Sequence, residues 1–351
     1  MGTKISMRAL IRLAVLIIAS SCPAGFQHTL AQAARQQPSS LRNLVPSSDA
    51  LSRQDLSFDA GFAKVALQYL GSGDPKLLEA LAKSPAAAHL LIHARNFDYE
   101  VPKDSTRALV AHLLTPPGEH LKDVPACQAA LAYFTGPMLS DPHWVNDTLR
   151  YLPGDFRFHG TLFLTFGYDI GVAYGNTASL NCAHSHFAEH PRELMYYAIH
   201  ELHHVGFMSY QPPPRLSEIR TCRDLLHLVK YSTQLEGMAV LAAWERRRQE
   251  HALADDSDYL ALDDRARMQV DEAQYFQDLH YLETRGDSPA DDEAWAVIKR
   301  MSSGERLWYR VGARMAQTIE QTSGRAALIS LIRQGPAEFL ASYERLAAQQ
   351  K

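Results

Sequence analysis

Apolar positions recur at helical spacing through most of the chain, and they change character twice. An isolated apolar run at 13–19 follows Lys4, Arg8 and Arg12. It is too short to span a bilayer and suits the core of an export signal. Residues 34–58 are rich in Gln, Ser and Asn with little periodicity and read as a linker, so the folded body is expected to begin near Asp59. From there to about residue 150, short helical segments at 62–70, 77–81, 86–93, 109–114 and 145–149 are broken by Gly, Pro or Ser. They predict a helical N-terminal lobe.

The second change falls at Leu152-Pro153-Gly154. Beyond it, 158–166 is rich in aromatic, Leu and Thr residues, and 171–181 carries Val172, Tyr174 and Leu180 among small residues. These stretches predict two or more strands, arranged most simply as a small antiparallel sheet. Pro191 suits a first helical turn and Glu193 complements its positive end. Leu194, Tyr197, Ala198, Leu202 and Val205 then form a burying stripe, with Gly206 beginning the exit. After the stiff Pro212-Pro213-Pro214 break, long helical patterns occupy about 216–250 and 258–283, and two or three further helices lie between Trp295 and Leu346, punctuated by Gly304, Gly324 and Gly335. The expected fold is α+β and mainly helical: a lobe at 59–150, a core at 151–255 and a helical lobe at 256–351.

Composition narrows the function more than the fold. With 46% hydrophobic and 21% charged residues the chain is ordinary globular protein, and a formal net charge of −4 provides no footprint for nucleic acid. The signal is assigned to 1–33, ending near Ala31-Gln32-Ala33, with lipid attachment at Cys22 as a minor alternative. No later segment reads as a membrane span, so the mature chain is expected to be periplasmic or secreted. Of the four cysteines none has CxxC spacing, which removes a thiolate metal site; Cys182 with Cys222 is the preferred disulfide pair because they flank the helix at 193–206, with isolated buried thiols as the equal alternative.

That helix carries the chemistry. His200-Glu201-Leu202-His203-His204 fits H-E-x-x-H. One helical turn separates His200 from His204, so two imidazoles can hold one zinc ion while the Glu201 carboxylate acts as general base on water. Chance alone produces the pattern in roughly 3 to 4 of every hundred such chains, so context decides. A catalytic zinc needs a third protein ligand. The metzincin continuation is absent, because Phe207 and Tyr210 stand where Gly and His are required. Asp224, Glu218, His227 and residues beyond 270 stay open on distance. Glu236 is favoured, since Gly237 and Ala239 after it allow close helix approach.

Glu236-Gly237 with the motif resembles the gluzincins, in which a downstream glutamate completes the site. With Leu152-Pro153, the Gly167-Tyr168-Asp169 strand region and Tyr309-Arg310-Val311-Gly312, the chain is similar to uncharacterised bacterial families of secreted zinc-dependent peptidases. The resemblance implies a zincin-like core, one zinc ion on His200, His204 and Glu236, Glu201 as base, and a peptide or protein substrate. The thermolysin spacing is not kept, because Asp224 and Val240 occupy the positions of its third ligand and of the Asp that orients a histidine. Tyr309, then Arg314, are the candidates to stabilise an oxyanion, and a strand within 171–182 could offer an edge to extended substrate. His203 reads as packed or solvent-facing in preference to supporting a ligand; His89, His93, His112, His184, His186 and His190 read as packed, surface or loop residues. The rival readings are an exported binding or scaffold protein with an inactive motif, and a zinc hydrolase of a non-peptide bond.

Overall fold

The computed structural model describes residues 54–349; the proposed signal, Cys22 and most of the linker lie outside them. Four strands are described: β1 (Gln54–Asp59), β2 (Phe158–Thr165), β3 (Gly171–Tyr174) and β4 (Thr177–Asn181). The described helices before the sheet's main strands are α1 (Gly61–Ser72), α2 (Pro75–Ala82), α3 (Pro85–Asn96), α4 (Thr106–Leu114), α5 (Val124–Tyr133) and α6 (Val145–Leu149). After them come α7 (His186–Glu189), α8 (Glu193–Met208), α9 (Cys222–Gln249), α10 (Ser257–Asp263), α11 (Arg265–Arg285), α12 (Asp292–Lys299), α13 (Leu307–Ser323), α14 (Arg325–Gln334) and α15 (Pro336–Gln349). The molecule is thus mainly helical with one small sheet, as the periodicity predicts.

The sheet differs from the antiparallel expectation. Its order is β1-β2-β4-β3, with β1 parallel to β2 and β2 parallel to β4; only the β3–β4 hairpin is antiparallel. The chain leaves β2 through the turn at 166–170, lays β3 at the outer edge, and returns through Gly175-Asn176 to place β4 between them. Gly175 has φ 60°, the left-handed conformation a tight hairpin turn asks of its first central residue. Tyr168 and Asp169, expected beside or in a strand, belong to the turn. β1 corrects the linker boundary: Leu56 and Phe58 pack inward while Asp55 and Ser57 are exposed, and Phe58 meets Phe134 and Trp144 edge-on at 6.1 and 5.9 Å. Two apolar residues in six give a faint period-2 signal.

One continuous apolar core runs from Ala60 to Tyr343. Helix α8 lies in its centre, packed on β3 and β4 on one side and on α9 on the other. That position explains why its predicted stripe widens to nearly all faces: Leu194, Ala198, Leu202 and Val205 are buried, and so are Tyr196, Ile199 and Phe207. Gly206 does not begin the exit. It lies inside the helix, and a Cβ there would overlap the Leu152 side chain. Close helix approach does occur after Glu236, but to α13: Gly237 and Gly312 face each other where a methyl group on either would strike the opposite backbone. Helix α9 itself starts with a capping box between Thr221 and Asp224 and ends in Arg246-Arg247-Arg248, placing acid and base at the matching ends of its dipole.

The disulfide joins Cys127 to Cys182, whose Cα atoms are 4.3 Å apart, and Cys222 is a free buried thiol. The expected Cys182–Cys222 pairing fails because Cys182 ends β4 beside α5, a helix the sequence reading did not single out, whereas the Cys222 sulfur faces the Pro289 carbonyl at 3.7 Å. Among the described residues no helix is long and apolar enough to cross a membrane.

Candidate functional site

Helices α8 and α9 bring three side chains to one point. His200 Nε2 lies 3.0 Å and His204 Nε2 3.1 Å from the same oxygen, Glu236 Oε2. The two imidazole centroids are 4.4 Å apart, one turn of α8, and all three side chains are between 9 and 15% exposed. Burial alone would raise the Glu236 carboxyl, but the adjoining His204 charge and the hydrogen bonds from both rings hold it well below the usual carboxylate range. Burial and His204 lower His200; His204 is raised, because Glu236 outweighs its own burial.

This donor set fits a zinc ion. Ligands of a tetrahedral site at ~2.0–2.1 Å from the metal stand about 3.4 Å apart, so the observed 3.0 and 3.1 Å need open by only a few tenths of an ångström. Ligand-capable atoms of His200, His204 and Glu201 also lie within 4.8 Å of one another. Both Glu236 and Glu201 therefore flank the same imidazole pair, Glu236 from α9 and Glu201 from α8 itself. The other spacing candidates are elsewhere: Asp224 accepts from the Arg220 and Thr221 backbone at 2.8 Å each, Glu218 pairs with Arg215, and His227 is exposed.

Glu201 projects from α8 toward β3, and Gly171 makes room for it. A Cβ at Gly171 would stand 2.7 Å from Glu201 Oε1 and 2.8 and 2.9 Å from its Cγ and Cδ. Burial raises the Glu201 carboxyl to about 8 against the opposing effect of His204, with Glu236 and Asp169 adding to the rise. Asp169, in the turn before β3, accepts a hydrogen bond from Tyr99 and from the Ile170 backbone, and burial lifts it to about 6. A glycine inside a predicted strand is the available signal for Gly171; nothing around Tyr99 announces its part.

Tyr309 stacks on His200 with centroids 6.3 Å apart and planes 22° apart, and the Arg306 guanidinium lies over the Tyr309 ring at 3.9 Å. Arg314, the second candidate, is away from the site beside Glu272 and Gln317 on another face of α13. Arg306, with Arg247, lines the cleft in its stead. His203 is fully buried and turns from the metal-ligand face toward the Tyr151 carbonyl, 3.3 Å away, with burial pushing it down to about 3. His204 Nδ1 is buried with no hydrogen-bond partner among the described residues.

Around these groups a cleft of about 190 Å³ is lined chiefly by apolar and aromatic side chains, including Phe97, Val172, Tyr197, Met208, Trp308 and Tyr309. A family described as "Putative zinc dependent peptidase (DUF5700)" matches residues 143–351, more than half of the chain. The chain belongs to that family. No curated protein and no solved structure matches it. The family region holds α8, α9 and α13, hence His200, Glu201, His204, Glu236 and Tyr309, together with β2 to β4. The segment before it supplies Tyr99, Phe97 and His93 to the cleft, His93 bonding Tyr168 Oη at 3.0 Å. The other histidines weighed from the sequence stay outside: His89 meets Thr177 Oγ1 at 2.7 Å, His186 meets Glu193 at 3.2 Å, His190 lies 3.7 Å from Asp255, His184 packs on Phe187, and His112 is exposed.

Proposed function

We propose that this family member is an exported, gluzincin-like zinc metallopeptidase, with one zinc ion on His200, His204 and Glu236 and Glu201 as general base. The observation that carries the reading is the convergence of both Nε2 atoms on one Glu236 oxygen beside a second buried carboxylate. Zinc, when bound, lowers the pKa of water toward ~7 and polarises the scissile carbonyl. Glu201 takes the proton from the attacking water and delivers it to the departing amine, held to that path by Gly171 behind it. Strand β3 is an edge strand whose residues Gly171, Val172 and Ala173 line the cleft, so extended substrate adds to it by backbone pairing. The Tyr309 hydroxyl serves as donor to the developing oxyanion. The Cys127–Cys182 disulfide favours an oxidising compartment and supports export.

The test is metal analysis of purified protein beside hydrolysis of a diverse peptide library. Wild type is expected to hold about one zinc per chain and to cleave. Glu201→Gln keeps the zinc and loses hydrolysis, and Glu236→Ala weakens zinc at least tenfold. Wild-type turnover by Glu201→Gln removes the base; full tight zinc in Glu236→Ala removes the third ligand. Absence of zinc and of cleavage in wild type leaves the scaffold reading standing.

A further inference from the structure

The zinc-peptidase reading leaves a basic group in the cleft without a task. Arg306 stands at φ 54°, the left-handed region that an arginine occupies only when its surroundings enforce it. The distortion starts α13 and lays the guanidinium over Tyr309, whose ring stacks in turn on His200. Guanidinium, phenol ring and imidazole are thus successive neighbours. The 3.9 and 6.3 Å contacts place the guanidinium no more than about 10 Å from the His200 ring, the reach of up to about three extended residues.

Arg306 shares its carboxylate partner. Its Nε donates to Asp258 Oδ2 at 2.6 Å, but the other oxygen of that carboxylate already takes the Arg310 Nε at 2.8 Å. Arg310 also stands 3.7 Å from Asp271, which Arg267 holds at 2.8 Å. Three arginines therefore share two carboxylates, with Asp169 a further, more distant acidic neighbour of Arg306. Arg306 is the member that lines the cleft. The other cleft arginine, Arg247, is spent: it is bidentate to Glu193 at 2.5 Å, near Asp256, and clamped between the Tyr196 and Tyr259 rings.

We propose that Arg306 selects substrates bearing a carboxylate within about three residues of the scissile bond, by pairing through its forked terminal nitrogens. This rests on the peptidase reading, and the carboxylate is either the substrate's own C-terminus or an acidic side chain. Binding separates the two readings. Zinc-loaded Glu201→Gln protein is dialysed against four pools of N-acetylated tetrapeptides: free acids with neutral side chains, neutral amides, amides with one Asp or Glu, and amides with one Lys. The expected result is at least tenfold retention of a carboxylate pool over the neutral amides, weakening as salt rises. Retention of the free acids alone identifies the C-terminus, and of the acidic amides alone the side chain. Arg306→Gln brings the pools to parity and Arg306→Lys keeps part of the preference. Arg306→Gly, which suits the left-handed backbone, loses it in a folded protein. Equal retention of neutral amides, no retention of any pool, or a preference that survives Arg306→Gly overturns the proposal. The peptidase reading falls separately, if wild type cleaves none of the pools.

Discussion

Gly171→Ala tests the site without touching a proposed ligand. The added methyl would lie 2.7 to 2.9 Å from Glu201 Oε1, Cγ and Cδ, where ordinary contact begins near 3.4 Å. One partner must therefore withdraw by 0.5 to 0.7 Å. The atoms struck belong to the flexible carboxylate and not to backbone, so the Glu201 side chain moves and the strand stays. A displacement approaching 1 Å in a proton-transferring group costs up to ~100-fold in rate. We expect kcat to fall about 10- to 100-fold, or ~1.4–2.7 kcal/mol of barrier, with zinc content unchanged and a stability loss of about 1–3 kcal/mol. The assay is turnover on the best library peptide beside metal stoichiometry. Gly154→Ala is the control, since no atom lies within 4 Å of its Cβ position. A kcat within about twofold of wild type would refute the argument that Gly171 fixes the base.

Three further outcomes follow from the packing. Glu193→Ala strands the buried Arg247 guanidinium and should cost about 3–5 kcal/mol by urea denaturation, while an exposed-pair variant such as Glu218→Ala changes less than about 1. Gly312→Ala should force α9 from α13 and reduce zinc affinity along with stability, because its Cβ would meet the Thr233 carbonyl and lie 3.0 Å from Gly237 Cα; a fully stable, zinc-replete variant contradicts the close crossing. Burial lowers His89 from 6.5 to about 4, so the unfolded chain binds its proton first. The stability it supports is complete above about pH 6.5 and is lost progressively as pH falls from there to about 4. At pH 5 that loss is about 2 kcal/mol relative to pH 7.5, and His89→Leu should show a correspondingly shallower acid dependence in urea midpoints.

Helical periodicity made α1 to α4, α6 and the long α9 legible, because one burying face per helix leaves a regular record. The H-E-x-x-H spacing likewise located His200, Glu201 and His204, whose relation is local to one helix. What escaped depends on chain partners far apart. Parallel pairing of β1 with β2 leaves no turn signal, and Leu56 and Phe58 are few enough to pass for linker. The Cys127–Cys182 bond required knowing that α5 lies beside β4. Arg306 and Arg314 are indistinguishable in sequence, both following the metal motif by a similar distance. Their separation comes from the left-handed turn at 306, which aims one side chain into the cleft while the helix carries the other away.

The Tyr99–Asp169 hydrogen bond and the β1–β2 pairing have a consequence for the life of the chain before it is finished. Asp55 meets His159 across more than a hundred residues, and contacts of that span form late and slowly. The cleft also needs Trp308 and Tyr309, more than a hundred residues after His200. A growing chain therefore carries the complete H-E-x-x-H sequence well before it has walls around it, and a finished cleft waits for α13. Delay of this kind is a property of the order in which distant segments meet.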